Sequence, residues 1–88
     1  MMTREEAEAK MAPSMLVTLK NYVEHHLTPG SATQAILEND LMQVSRRADE
    51  NTWAALDAIV FWLYNYAPGQ CWGSRERVKA WLEKKENT

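Results

Sequence analysis

The chain has 88 residues, 45% of them apolar and 25% charged, a balance that excludes a disordered or fibrous protein and allows one hydrophobic core, hence a single domain over residues 1–88, which the elements below make helical. The net charge of −2 arises from 10 basic and 12 acidic side chains, with five basic and nine acidic in residues 1–69 and five and three in residues 70–88. Only the tail is basic, so the cationic footprint that binds nucleic acid polymers is missing, while a small anionic ligand is compatible with the charge.

Thr3 followed by Glu6 fits a capping box, in which hydroxyl and carboxylate each satisfy a backbone N–H, and predicts a helix from near Arg4. Pro13 interrupts it and suits the first turn of a second helix, begun by Ala12 or Pro13 and running to His26. Residues 1–12 are thus readable as a separate N-terminal helix. Met15, Leu16, Leu19, Tyr22, Val23 and His26 fall at helical spacing and form the buried stripe of the second. Thr28-Pro29-Gly30 breaks the chain, and Ser31 is placed to cap a third helix through Ala32, Ala35 and Ile36. Asp40, with Gln43 three residues on, caps again, which favours two short helices over one bent one, the second carrying Leu41, Val44 and Ala48.

Asp49-Glu50-Asn51-Thr52 opens the segment expected to be the longest helix, which ends at Ala67-Pro68-Gly69. Trp53, Leu56, Val60, Leu63 and Tyr64 mark one face, and Ile59, Trp62 and Tyr66 carry the apolar surface round most of the circumference, the pattern of a central helix. Ser74 then caps a last helix with Val78, Trp81 and Leu82 on its inner side and Lys84 and Lys85 at its end, and residues 1–3 and 86–88 read as frayed ends. Nothing alternates with period two and there is no internal repeat. The expected fold class is all-α, a compact bundle of four or five short helices.

Cys71 is the only cysteine, which rules out an internal disulfide and a Cys-rich metal site and points to a cytoplasmic chain. The polar start Met1-Met2-Thr3-Arg4 lacks a signal core, and no apolar run approaches the roughly 20 residues that span a bilayer, so neither secretion nor a membrane partner is expected. Four tryptophans in so short a chain favour a homo-oligomer, the alternative being a well-filled monomer core.

No catalytic residue, metal ligand or cofactor is expected. His25 and His26 point about 100° apart on a helix and cannot chelate one metal together, Cys71 lies in a loop without a local base, and the three glycines are single, so no phosphate loop is present. The stretch from Tyr64 to Lys79 is different. Tyr64, Tyr66 and Trp72 offer planes on which a base stacks, the N–H groups after Ser74 offer an anion site, and Arg75 or Arg77 offers a bidentate phosphate partner, with Arg46 and Arg47 as a second cationic site. The candidate ligand-binding set is therefore Arg46, Arg47, Tyr66, Trp72, Ser74, Arg75 and Arg77. The plainer alternative has Trp72 plugging the core under its loop, and Arg75, Arg77 and Lys79 on a solvated face paired with Glu76 and Glu83.

Pro29-Gly30-Ser31, Asn39-Asp40-Leu41, Ala48-Asp49, Tyr64-Asn65, Ala67-Pro68 and Cys71-Trp72-Gly73-Ser74, closed by Trp81-Leu82, occur in an order that resembles a widespread family of short tailed-phage proteins. The likeness covers residues 27–82 and omits the first 25. It implies a small counter-defence protein; one group of these comprises oligomeric sponges that sequester the cyclic nucleotide signals of bacterial CBASS immunity. No functional residue is carried over from it. What the resemblance implies is a non-enzymatic protein, cytoplasmic in the infected bacterial host, that sequesters a cyclic (di)nucleotide as a homo-oligomer. Arg75, Arg77 and Arg46 or Arg47 would then meet the phosphates and Trp72 or Tyr66 a base. The alternatives are a helical interaction module that inhibits or adapts a host protein, a helix-turn-helix DNA regulator reading with Ser74 to Lys85, and a hydrolase of the same signal.

Overall fold

The computed structural model describes residues 2–84, and the expectations for Met1, Lys85 and residues 86–88 lie outside them. Seven α-helices follow one another: α1 Arg4–Lys10, α2 Pro13–His25, α3 Ser31–Leu37, α4 Leu41–Arg47, α5 Glu50–Ala54, α6 Leu56–Tyr66 and α7 Arg75–Glu83, with a 3₁₀ turn Gly69–Cys71 before the last. No strand occurs among the described residues. The all-α expectation holds, but the bundle has seven helices rather than four or five.

The caps that come from side chains are local, and most are where the sequence puts them. Thr3 Oγ1 accepts the Glu6 N–H at 3.1 Å, although its own hydroxyl, rather than a backbone N–H, meets the Glu6 carboxylate at 3.2 Å. Asp40 accepts from Gln43 N–H at 3.2 Å, Asp49 from Thr52 N–H at 2.8 Å and Ser74 from Arg77 N–H at 3.2 Å. Pro13 is the first residue of α2, where its missing N–H costs nothing. Ser31 is a correction: it is already helical, and Gly30 occupies the cap position without a side-chain bond. Two left-handed residues end helices. His26 (φ 57°) closes α2 with Leu27 N–H reaching back to Asn21 O, and Asn39 (φ 59°) closes α3 with Asp40 N–H on Ala35 O.

The segment expected to be the longest helix is broken at Ala55 (φ −99°, ψ 4°) into α5 and α6, leaving α2, with 13 residues, as the longest. Alanine is the strongest helix former, so propensity does not make this break, and Thr52 and Ala55 are both buried at the joint. The apolar circumference of α6 is likewise not central. Ala58, Ile59, Trp62 and Leu63 are buried, while Trp53, Val60 and Tyr64 on the far side are 42%, 42% and 77% exposed. Among the described residues nothing covers that outer side.

The buried side chains form one cluster, to which Ala7 of α1 and Met11, the residue that caps its end, contribute. Helix α1 is fastened to α6 by the Trp62 indole N–H on Glu8 Oε2 (3.0 Å) and by Lys10 with Asp57 (3.0 Å). A second fastening joins α2 to the C-terminal part. The Tyr22 hydroxyl donates to Cys71 O (2.6 Å), the Trp81 indole N–H donates to Tyr22 O (2.8 Å), and His26 Nδ1 lies 2.9 Å from Trp81 O. A carbonyl only accepts, so Nδ1 carries the proton there. The His26 and Trp81 rings sit 4.4 Å apart at 44°, and the Lys84 ammonium lies 4.5 Å from the Trp81 ring centre.

Candidate functional site

Helix α7 starts at Arg75 because the three residues before it leave the helix region, Trp72 and Ser74 extended and Gly73 at φ 111°. Glycine alone adopts that angle without strain. The Gly73 N–H donates to Leu37 O at 2.7 Å, which docks the loop against the end of α3. The first turn of α7 thereby lies between two clefts, and the candidate residues divide between them.

On one side a groove of about 530 Å³ is lined by Arg47 from α4, Gln34 and Glu38 from the α3 end, and Arg75, Lys79 and Glu83 along α7, over Val78 and Leu82. Three cations face two carboxylates here, so the groove has a positive balance. Arg75 Nε lies 4.0 Å from Glu38 Oε1, and the Arg75 side chain is 75% exposed whereas that of Glu38 is 10% exposed. Glu38 also accepts from Gln34 Nε2 at 3.1 Å. The carboxylate is thus occupied from beneath, and the guanidinium keeps most of its five donors for solvent or a ligand. Arg46 is exposed but does not line this groove. Lys79 was missing from the sequence-derived set, although its spacing of four from Arg75 puts both on one helix face; Gln34 carries no such signal.

On the other side a cleft of about 230 Å³ is lined by Tyr64, Ala67, Gly69, Trp72, Gly73 and Arg77. Arg77 Nη1 donates to Gly69 O (3.1 Å) and Trp72 O (3.3 Å), so this arginine braces the loop. Trp72 is half-buried and packs on the core, as in the plainer alternative. The pairing of the α7 cations with Glu76 and Glu83 is not found among the described residues; Arg75 turns to Glu38 instead. Tyr66 lies apart from both clefts, with the Arg4 guanidinium 4.8 Å from its ring centre, beside Lys20 and Trp62. The stacking planes and the phosphate cations therefore do not converge on one spot in a single chain: Arg47 with Arg75, Trp72 with Arg77, and Tyr66 belong to three places.

Cys71 is fully buried, and burial pushes its thiol up to about 11, which removes the thiolate that nucleophilic chemistry needs. No three His, Cys, Asp or Glu side chains gather to hold a metal among the described residues, and no helix there is long and apolar enough to cross a membrane. No protein-family model matches the chain, and no curated protein or solved structure is significantly similar to it. Fold and clefts together describe a small all-α protein with a cationic groove beside its last helix.

Proposed function

We propose that this protein is a non-enzymatic binder of a small phosphate-bearing ligand, of the cyclic nucleotide class that the phage-family resemblance implies, with the phosphates in the groove of Arg47, Arg75 and Lys79. The observation that carries the reading is that Arg47 and Arg75, distant in sequence, line one open groove with Lys79 and an apolar bed of Val78 and Leu82. A guanidinium pairs a phosphate through two parallel N–H bonds, and a few local cations are enough for two phosphates. The adjoining cleft of Tyr64, Trp72 and Arg77 supplies the aromatic surface a base needs, across the first turn of α7. The phage counter-defence role and a homo-oligomer that encloses these open clefts belong to the same proposal.

Calorimetric titration against a panel of cyclic di- and trinucleotides tests it. Binding is expected to fall at least about ten-fold in Arg75→Ala and in Arg47→Ala, each removing a charge-assisted bond, and to be unchanged in Arg46→Ala. An absence of heat across the panel ends the proposal.

The outward face of α5 and α6 favours a second reading, a protein-interaction module. Trp53, Val60 and Tyr64 line up on the side of the helix opposite its core contacts, and aromatic side chains are enriched where proteins meet. Pull-down from host lysate separates the two: one stoichiometric protein, lost with Trp53→Glu, and no co-purified nucleotide would favour this contact.

A further inference from the structure

On the floor of the α7 groove lies an acceptor with no donor of its own. Glu38, at the end of α3, lines the groove although its side chain is only 10% exposed. Its Oε2 accepts from Gln34 Nε2 at 3.1 Å, whereas Oε1 accepts no hydrogen bond among the described residues; the Arg75 Nε that pairs with it stands off at 4.0 Å, too far for one. No sealed side-chain nitrogen or oxygen among those residues lacks a partner, so Oε1 opens onto the groove. A carboxylate has about four lone-pair sites, and taking it out of water with one bond made is unfavourable until a further donor arrives. Gln34 likewise uses one amide N–H on Glu38 and keeps the second.

The donor that suits Oε1 is a neutral one. Arg47, Arg75 and Lys79 around it repel an ammonium or guanidinium group, and Val78 and Leu82 give a flat ring a surface to lie on. Taking the groove as the phosphate site proposed above, we infer that it selects guanine. In the order Glu38 Oε1, Glu38 Oε2, Gln34 Nε2, the pair presents acceptor, acceptor, donor. The Watson–Crick edge of guanine presents the complement: N2–H and N1–H donate to the carboxylate, and O6 accepts the free Gln34 N–H. Adenine has a single donor on that edge, and its bare N1 would meet a carboxylate oxygen. A site built to hydrogen-bond one edge rejects the other because its own polar groups are left unpaired. A cyclic dinucleotide carries two bases, which leaves the second for the cleft of Tyr64 and Trp72.

Calorimetric titration with cyclic di-GMP and with cyclic di-AMP, which share their ribose and phosphate groups, isolates the base. Cyclic di-GMP is expected to bind at least about ten-fold more tightly. In Glu38→Gln, nearly the same in shape, the two affinities are expected to come together; their ratio reads the base alone, since the lost negative charge favours both ligands alike. Equal affinities in the native protein, or an unchanged ratio in Glu38→Gln, would overturn the guanine assignment and leave the phosphate groove standing. An absence of heat with both would end the assignment as well, and the wider panel of cyclic nucleotides then decides the groove.

Discussion

Tyr22 is fully buried, yet its hydroxyl is the donor that holds the Cys71 carbonyl, at 2.6 Å and across 49 positions of sequence. The burial was legible, since Tyr22 falls on the apolar stripe of α2. The partner was not, because no local pattern joins residues so far apart. Tyr22→Phe keeps the ring and strands the carbonyl, and should cost about 1–3 kcal/mol, measured by denaturant unfolding; a loss within error would show that the carbonyl finds another donor. Cys71 makes a matching chemical prediction. Ellman's reagent should label the native protein far more slowly than the denatured chain, because the thiol is sealed and stays protonated. Equal rates would contradict a closed loop.

At the scale of the element, caps were read well because they depend on residues three apart: Asp40, Asp49 and Ser74 all bond where their spacing says. Breaks without such a signal were not. The joint at Ala55 has neither glycine nor proline to mark it in sequence; what accompanies it is the burial of Thr52 and Ala55, which only the fold reveals. The loop before α7 lies between these cases, since Gly73 marks a turn in sequence while its φ of 111° and its bond to Leu37 O need the fold. A Cβ on Gly73 would lie 3.2 Å from Arg77 Nη1 in a backbone region closed to other residues. Gly73→Ala should therefore destabilise by about 1–3 kcal/mol, and loosen the Arg77 brace enough to raise proteolysis in the loop. An unchanged melting temperature would refute that.

For the whole molecule, pH is the sharpest probe of how the helices are held. The Trp62 indole bond, then the Arg4 bond, lowers the Glu8 carboxyl from its ordinary 4.5, and the Lys10 bond lowers Asp57 from 3.8. Groups depressed in the folded state add stability above their ordinary values and lose it as pH falls through the lowered ones. Thermal melts should be flat down to about pH 5 and decline below 4.5, with Glu8→Gln less stable at neutral pH and its acid decline shallower; superimposable profiles would remove Glu8 from the account. At the other end, burial raises Cys71 from 9.0 to about 11 and raises Tyr22 too. The Cys71 contribution is complete below pH 9.0 and fades as pH climbs to about 11, while that of Tyr22 is complete below pH 10.0 and is lost only at still higher pH.

The candidate site was half legible at this scale. Arg47 and Arg75 were named from charge and position in the chain, but that they share a groove, while Arg77 is spent on a loop and Tyr66 stands elsewhere, follows from how α4 and α7 meet.

The four tryptophans occupy graded depths: Trp53 on the outer face, Trp72 half-covered beside Arg77, Trp81 against His26, and Trp62 bonded to Glu8. Light therefore reads the molecule at four stations. An aqueous quencher reaches the emission of Trp53 first, so occupancy of the outer helix face shows as protection of one fluorophore. A ligand in the α7 clefts registers at Trp72, and loosening of the α1 fastening at Trp62, without a label added to the chain.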